Sequence, residues 1–377
     1  MNRGRRKGSR HDERKLKDRR FHAEPGQRPD TPVRIVTPPR VKAPPVPPVT
    51  LEPRVGKWLW TTRAGFEAHL FEELAWAKLS ARVLGPALLE SDAPRGQPPA
   101  FGRMGFPVAG LARDVTAAQR LLPPEGAKIQ VWVPDTPEGN ARTGEATAWE
   151  EALAALRAGA KDYDTPWKAF DAGGWLGQVC LFAPGVAAVG QVRARAAVSL
   201  AAGGRQRMKR TEDAPSRAAM KLDEALEWFG NSPGKGEVCV DLGSAPGGWT
   251  RRLVERGAKV WSVDPANLAP DLAAHGRVKH FKVSAFEFEP EEPVDWLFCD
   301  MAWRPLEVAQ MLGKWARRRL ASQLIANFKL PMNDKLPMVF RVRQTLESAG
   351  WSRVRIRQLY HDRDEVTVSA ISSRGTP

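Results

Sequence analysis

The sequence predicts a protein of the α/β class, in which a parallel sheet has helices on both faces and a smaller α+β region precedes it. Two observations lead to this prediction. Apolar runs typical of strands alternate with helical patterns from residue 216 to the end of the chain. A strand-like run at 237–242 also passes through a glycine-rich turn directly into a helical pattern. Such alternation makes strands parallel, because each helix returns the chain to the same edge of the sheet.

The first 54 residues are predicted to form a disordered arm. Residues 1–42 contain 14 Lys/Arg but only 5 Asp/Glu, and they lead into the proline-rich stretch PPRVKAPPVPPV. This composition lacks the apolar periodicity needed for a core, and the prolines favour an extended spacer. The arm carries much of the chain's net charge of +15. It therefore favours a polyanion such as RNA as its partner, and a merely solvated tail is the alternative.

Residues 55–204 are predicted to form two small units, at 55–123 and 124–204. The β-α-β-β order of the first is typical of a ferredoxin-like α+β unit. Strands are predicted at 57–62, 82–89, 105–111, 128–133, 176–182 and 186–191. Two helices are predicted, one with Phe66, Leu70, Leu74 and Ala77 on its apolar face and one at 148–157, and residues 136–146 are predicted to form a loop.

Residues 205–377 are predicted to form a Rossmann-like domain with a seven-stranded sheet. Ser216 is placed to cap the first helix, which runs to Phe229. The remaining elements are strands at 237–242, 258–263, 279–283, 294–299 and 322–328, helices at 248–256, 305–319 and 335–349, and a final hairpin at 353–359 and 365–371. The hairpin adds two strands to the five parallel ones.

Cysteine and histidine usage argues against disulfides and metal sites. The three cysteines, Cys180, Cys239 and Cys299, lie within apolar runs and are predicted to be reduced core residues. The six histidines show no metal-binding spacing. No secretory h-region and no run of eighteen apolar residues occurs, so we expect a soluble cytoplasmic protein without a membrane span or a metal.

The segment EVCVDLGSAPGGWT, residues 237–250, has the form of a nucleotide-binding turn. Its glycines allow a ligand to approach the backbone at the end of a strand. It lacks the G-x-G-x-x-G pattern, and Trp249 stands where a P-loop has lysine, so neither phosphate-binding motif is complete. We therefore predict a small nucleoside-like ligand. Asp264, at the end of the next strand, is placed to bind ribose hydroxyls, or else simply forms a turn before Pro265.

Four charged residues lie at element ends from which they can converge. Lys221 flanks the apolar stripe of the first helix, and Asp300 follows the fourth strand. Lys329 completes the fifth strand, and Glu365 opens the last one. A lysine that ends a buried strand is costly unless it points into a cleft, so Lys329 is predicted to be functional.

These motifs resemble those of a known enzyme family. The pattern D-L-G-x-x-P-G-G-[WF] resembles the S-adenosylmethionine (SAM) loop of FtsJ-like RNA 2′-O-methyltransferases, and the four charged residues resemble their K-D-K-E tetrad. The segments SRAAMKLDEA, DLGSAPGGWT, CDM, NFKLPM and LYHDRDEVTV are similar to the large-subunit ribosomal RNA methyltransferase M family. The resemblance is dense over 205–371, loose over 55–204, and absent from the arm.

The resemblance implies SAM as cofactor and a 2′-hydroxyl of a cytidine in large-subunit (23S) ribosomal RNA as substrate. It also implies that 124–204 is a THUMP-like RNA-binding domain. We expect a monomer that acts on RNA before subunit assembly. The implied catalytic residues are Lys329 as base with Lys221, Asp300 and Glu365. The implied cofactor-binding residues are Ser216, Asp241, Gly243, Ala245, Pro246, Gly247, Gly248, Trp249, Asp264, Ser284 and Asp300.

One departure and one alternative remain open. Ser284 stands where the family has an acid for the adenine amino group, so adenine would be bound there through a hydroxyl or the backbone. The alternative function is a non-catalytic RNA-binding or ribosome-assembly factor that keeps the fold. An amino-methyltransferase is disfavoured, because its [DN]-P-P-[FYW] motif is absent at Asp300–Trp303.

Overall fold

The computed structural model describes residues 41–206 and 217–372. It contains two seven-stranded sheets, one in residues 58–206, here the N-terminal lobe, and one in residues 217–372, the C-terminal lobe. The predicted arm is described only from residue 41 onward, and Ser216 lies outside the described residues. None of the described helices is both long and apolar enough to cross a membrane.

The N-terminal lobe contains strands β1 to β7 and helices α1 to α5. In chain order they are β1 (Trp58–Thr61), α1 (Glu67–Trp76), β2 (Ala81–Gly85), β3 (Leu88–Ser91), β4 (Met104–Ala112), α2 (Val115–Leu121), β5 (Ala127–Trp132), α3 (Pro137–Ala141), α4 (Thr143–Leu156), α5 (Pro166–Asp171), β6 (Trp175–Ala183) and β7 (Val186–Arg193).

A single sheet in the order β2-β3-β1-β4-β7-β6-β5 runs through the whole N-terminal lobe. Strand β4 joins its two halves, because Met104–Pro107 pairs with β1 and Val108–Ala112 pairs with β7. The two units predicted at 55–123 and 124–204 therefore share one sheet, and the junction between its halves lies inside β4. The descriptions ferredoxin-like and THUMP-like stay predictions.

Two local predictions in this lobe are wrong. The single strand predicted at 82–89 is a hairpin of β2 and β3, which turns at Pro86 and at Ala87, whose φ is +60°. Proline has no amide hydrogen to extend a strand. The loop predicted at 136–146 is helical, because the Thr136 hydroxyl caps α3 through the amide of Gly139 and α4 begins at Thr143.

The C-terminal lobe contains strands β8 to β14 and helices α6 to α10. In chain order they are α6 (Arg217–Phe229), β8 (Val238–Leu242), α7 (Gly248–Glu255), β9 (Lys259–Val263), α8 (Pro270–Ala273), β10 (Val278–Phe281), β11 (Val294–Cys299), α9 (Pro305–Arg317), β12 (Ala321–Lys329), α10 (Lys335–Ser348), β13 (Trp351–Arg357) and β14 (Glu365–Ser372). The seven predicted strands are confirmed, with shifts of one or two residues at their ends.

The C-terminal sheet has the order β10-β9-β8-β11-β12-β14-β13. Strands β8 to β12 are parallel, and β14 is antiparallel to both of its neighbours. Every loop that follows a parallel strand therefore emerges at one edge, the carboxyl edge. Lys329, at the end of β12, pairs with Glu365, at the start of β14, so both lie at that edge.

Aromatic side chains fill the space between this sheet and its helices. Trp296 and Phe298 on β11 are fully buried, and their rings stack with centroids 5.6 Å apart. Trp249 of α7 meets Phe298 edge to face at 6.1 Å. Burying each of these side chains contributes about 2–3 kcal/mol, so they fix α7 against the centre of the sheet.

The lobes contact each other at the hairpin loop, residues 358–364, which joins β13 to β14. The Gln358 amide donates to the Ala100 carbonyl oxygen at 2.7 Å. Arg63 donates to the Asp362 carbonyl oxygen at 3.1 Å, and Arg103 to that of Tyr360 at 3.2 Å. The N-terminal lobe therefore holds the segment that leads directly into Glu365.

The close packing of β4 on β7 gives a test of the continuous sheet. A Cβ added to Gly190 would lie 2.0 Å from the backbone oxygen of Pro107. We predict that Gly190→Ala lowers the free energy of unfolding by about 3 kcal/mol, since that oxygen cannot move without separating the strands.

Denaturant unfolding of Gly190→Ala and of Gly144→Ala measures this effect. Gly144 lies in α4 with open space around its Cα, so its replacement by alanine should raise stability by at most about 1 kcal/mol. Equal stability of the two variants would contradict the close approach of β4 and β7.

Candidate active site

A cavity of about 710 Å³ opens where β8 passes into α7. Gly243 and Gly247 adopt φ values of +76° and +116°, which L-residues rarely adopt, and they turn the loop away from the sheet. The lining residues come from α6, β8, the glycine loop, α7, the segment after β9 and the end of β11. They are Ala218, Ala219, Asp241, Gly243, Ser244, Ala245, Pro246, Gly247, Gly248, Trp249, Arg251, Arg252, Glu255, Ala269, Leu272 and Asp300.

One buried nitrogen of this lining, Nε of Arg252, lacks a hydrogen bond but lies 3.1 Å from the Asp223 carboxylate in an ion pair. Two buried oxygen atoms of the lining have no hydrogen-bond partner within the protein. They are Oδ1 of Asp241 and Oγ of Ser244. An unpaired buried polar atom costs about 1–3 kcal/mol, so a site of this kind is suited to a ligand that brings its own donors. Ser244 was not among the predicted site residues. Its place inside the glycine loop was the only signal in the sequence.

Asp241 combines this free oxygen with a bonded one. The Thr250 hydroxyl donates to its Oδ2 at 2.7 Å. Burial raises the pKa of the Asp241 carboxyl to about 7, because desolvation outweighs the hydrogen bond from Thr250. The residue is 1% exposed, so a ligand reaches it only through the cavity.

The cavity lining includes eight of the eleven residues predicted to bind the cofactor, although Trp249 also has a structural part. Its indole nitrogen donates to the Ala218 carbonyl oxygen at 2.8 Å, which joins α7 to α6. Asp264 lies outside the lining and accepts hydrogen bonds from the amides of Ala245 and Ala266, at 3.1 and 2.8 Å. It thus ties the end of β9 to the glycine loop.

Ser284 also lies outside this lining. Its hydroxyl accepts a hydrogen bond from the Phe286 amide at 3.3 Å, in the loop that follows β10. A contact of Ser284 with adenine therefore stays a prediction, as do the contact of Asp264 with the ribose hydroxyls and that of Ser216 with the cofactor.

Three of the four predicted catalytic residues form one charged cluster beside the cavity. The Lys221 amine donates to Oε2 of Glu365 and lies 4.0 Å from Oδ1 of Asp300. Lys329 stands opposite Glu365 in the strand register, and its side chain is exposed at the carboxyl edge. Asp300 belongs both to this cluster and to the cavity lining, so the two features form one site.

A buried chain of hydrogen bonds continues from Asp300 into the protein. Asn327 donates through Nδ2 to Oδ1 of Asp300 at 3.1 Å. The Thr367 hydroxyl lies 2.9 Å from Oδ1 of Asn327 and 3.1 Å from Oδ2 of Asp362. The Leu359 amide donates to the same Asp362 oxygen at 2.9 Å. Asn327, Thr367 and Asp362 were not predicted from the sequence.

The chain needs a proton on Asp362. Thr367 has one hydroxyl hydrogen to donate. Asn327 turns its amide nitrogen toward the Asp300 carboxylate, so the amide oxygen of Asn327 accepts the hydrogen of Thr367. The contact of Thr367 with Asp362 is then a hydrogen bond only if Asp362 donates. Burial raises the pKa of the Asp362 carboxyl to about 7, which favours this protonated form.

Burial also shifts the pKa values of Asp300, at the end of this hydrogen-bond chain, and of its neighbour Cys299. Burial raises the pKa of Asp300, while Lys221 and the hydrogen bond from Asn327 act in the opposite direction. Cys299, next to Asp300, is fully buried, and burial raises the pKa of its thiol to about 12. A protonated buried thiol is not a nucleophile, which argues against a nucleophilic role for Cys299.

No group of His, Cys, Asp and Glu within residues 41–206 and 217–372 has the arrangement of a metal site.

Comparison with known proteins gives several matches. A family model described as FtsJ-like methyltransferase matches residues 214–330. The ribosomal RNA large subunit methyltransferase M of Laribacter hongkongensis is 33% identical over 356 residues, which cover 82% of this chain and 95% of that protein. The protein of the same description in Teredinibacter turnerae is 43% identical over 177 residues, which cover 44% of this chain and 51% of that protein.

Solved structures resemble a smaller part of the chain. A fibrillarin pre-rRNA processing protein of Methanococcus jannaschii is 16% identical, with a TM-score of 0.35, and the match covers 44% of this chain and 82% of that one. The similarity to the Laribacter protein extends well beyond the C-terminal lobe, whereas the Teredinibacter match spans about half of that relative.

The raised pKa of Asp362 predicts how stability depends on pH. An unfolded aspartate has a pKa of about 3.9, so between about pH 4 and pH 7 the native state keeps a proton that the unfolded state has lost. The free energy of unfolding then falls as pH rises, by at most about 1.4 kcal/mol per pH unit from this group. We predict that Asp362→Asn removes this part of the slope.

Urea unfolding of wild type and variant at pH 5, 6, 7 and 8 measures the difference. The exposed Asp164→Asn serves as control and should keep the wild-type slope in this window, since the Lys168 ammonium lowers the pKa of Asp164. Parallel curves for wild type and Asp362→Asn would show that Asp362 is charged in the native protein.

Proposed function

Since the chain belongs to the ribosomal RNA large subunit methyltransferase M family, we propose that it methylates a ribose 2′-hydroxyl in large-subunit ribosomal RNA, at a cytidine of the 23S molecule. It is a methyltransferase of ribosomal RNA that uses SAM. The observation that carries the proposal is the charged cluster of Lys221, Asp300 and Glu365, with Lys329 opposite Glu365 in the strand register at the carboxyl edge.

The residues of the cavity fit SAM. The unpaired oxygens of Asp241 and Ser244 suit the polar groups of its amino-acid portion, and the glycine loop allows close approach to the backbone. Asp264, at the end of β9, suits the ribose hydroxyls. When bound, SAM supplies an electrophilic methyl group on a positively charged sulfur.

The charged cluster supplies the means to prepare the hydroxyl. A ribose hydroxyl is a weak nucleophile until its proton is withdrawn, and a lysine must be neutral to accept that proton. We assign this role to Lys329. Glu365 and Asp300 hold the Lys221 amine at the same edge of the sheet. Holding the hydroxyl in line with the methyl group contributes further to the rate.

The proposed substrate is free large-subunit RNA before it is assembled. A 2′-hydroxyl can reach Lys329 only if its nucleotide is unstacked, which is more difficult in a packed subunit. The N-terminal lobe would bind RNA by its shape and backbone, and the basic arm would add contacts to phosphates. The protein would act as a monomer in the cytoplasm, where it meets the unassembled RNA.

Ser244 gives a test of cofactor binding. Its buried hydroxyl has no partner in the protein, so Ser244→Ala should leave stability unchanged or slightly higher without SAM. The same change should weaken SAM binding about tenfold, the effect of one lost hydrogen bond of about 1.4 kcal/mol. Calorimetric titration with SAM and thermal unfolding measure the two quantities.

Ser262→Ala is the matched control. The Ser262 hydroxyl is buried and bonded to Thr250 at 2.8 Å, so its loss should lower stability. A Ser244→Ala variant that binds SAM with wild-type affinity would remove Ser244 from the cofactor site.

Lys329 gives a test of the reaction. Lys329→Ala should reduce methyl transfer at least a hundredfold, the typical contribution of a positioned base, with SAM affinity within twofold of wild type. Lys329→Arg keeps a positive charge that cannot be lost at neutral pH, so it should be equally inactive if Lys329 is the base. Tritium transfer from SAM to protein-free large-subunit RNA measures the rate.

Mass mapping of the product identifies the modified atom and nucleotide. Methylation of a cytidine ribose supports the proposal, and methylation of a base overturns it. Preference for assembled subunits or for tRNA would contradict the proposed substrate. Full activity of Lys329→Arg would show that the positive charge, rather than proton removal, is what the site needs.

A further inference from the structure

Large apolar side chains are exposed in the two loops that follow β11 and β12. Strands β11 and β12 are neighbours in the sheet and end at Cys299 and Lys329. The loop after β11 carries Trp303, which is 52% exposed, and the loop after β12 carries Met332, which is 91% exposed. Both loops emerge at the carboxyl edge, where Trp303 follows Asp300 by three residues and Met332 follows Lys329 by three residues.

Trp303 is held in place although its ring is exposed. Its indole nitrogen donates to Oε2 of Glu307 at 2.7 Å, and its ring meets that of Phe286 with centroids 5.7 Å apart. Phe286 is itself 38% exposed. A fixed, half-exposed ring can bind a flat partner without first losing conformational freedom.

Positively charged side chains are exposed on the same edge of the sheet, and one of them, Arg304, is paired with Glu307. Lys282, Arg304 and Lys329 are all exposed, in the loops after β10 and β11 and at the end of β12. Fixed aromatic rings among cations are the means by which proteins bind unpaired nucleotides, since bases stack on the rings and phosphates attract the cations. Trp303 and Met332 also lie outside the lining of the cofactor cavity.

We propose that Trp303 and Met332 bind an unpaired base of the RNA strand at the charged cluster. Trp303 would stack on the base, and Met332 would pack against it. This inference rests on the proposed function and adds that the RNA is single-stranded where it meets the site. The base is that of the target nucleotide or of its immediate neighbour, because both loops adjoin the residues that prepare the hydroxyl.

The test compares Trp303→Ala with Trp303→Phe, and Met332→Ser with Met332→Leu. The probe is protein-free large-subunit RNA, and the measurements are KM for RNA, kcat, and the dissociation constant of SAM. Loss of one stacked base should raise KM for RNA about tenfold in Trp303→Ala, and Trp303→Phe should restore most of it. SAM affinity should stay within twofold in all four variants.

Thermal unfolding of each variant separates loss of binding from loss of folding, and the Phe and Leu variants keep the inference testable if the smaller side chains destabilise the loops. A loss of SAM affinity as large as the rise in KM would show that the ring covers the cofactor's adenine, and would overturn the inference. An unchanged KM in Trp303→Ala would overturn the inference as well. The proposed function would still stand in that case if the wild-type protein methylates ribose. A wild-type protein that does not methylate ribose would overturn the proposed function instead.

Discussion

Backbone amides that are shielded from water need hydrogen-bond partners, and the geometry of the active site depends on how residues 358–362 of the hairpin loop obtain them. Five consecutive N–H groups, of residues 358–362, are all bonded, because a buried unpaired amide costs about 1–3 kcal/mol. The Glu224 carboxylate of α6 accepts those of Tyr360 and His361, at 2.7 and 3.1 Å. Ala100 of the N-terminal lobe accepts that of Gln358, and the loop itself accepts the other two.

This arrangement positions two members of the charged cluster, Lys221 and Asp300. Glu224 lies one helical turn after Lys221, so α6 binds the hairpin loop and presents the lysine at the same time. Asp362 orients Thr367 and, through Asn327, the Asp300 carboxylate. Because Arg63 and Arg103 of the N-terminal lobe also hold the loop, the lobe proposed to bind RNA is in direct contact with the segment that leads into Glu365.

Cofactor and RNA would occupy different parts of the carboxyl edge under the proposals made above. The cavity lies at the ends of β8 and β9 and in front of α7, where positive φ values open the backbone. The exposed apolar surface lies over β11 and β12, where Trp303 and Met332 stand. Asp300 lies where the two regions meet, which is where a methyl group would have to pass from one ligand to the other.

The sequence by itself determined the strands of the C-terminal lobe and its helices other than the short α8, the position of the glycine loop, and the four charged residues at element ends. These depend on local properties, namely hydrophobic periodicity, glycine, and polar residues that end apolar runs. The predictions were wrong where a single residue ends or begins a short element: Pro86 follows β2, and Thr136 caps α3. The tertiary structure alone decided that β4 joins two half-sheets, that the Trp249 indole bonds α6, and that Ser244 faces the cavity without a partner. It also decided the chain of hydrogen bonds from Asp362 to Asp300, whose members come from different strands and a loop. A hydrogen bond between residues far apart in sequence is fixed by packing rather than by local pattern.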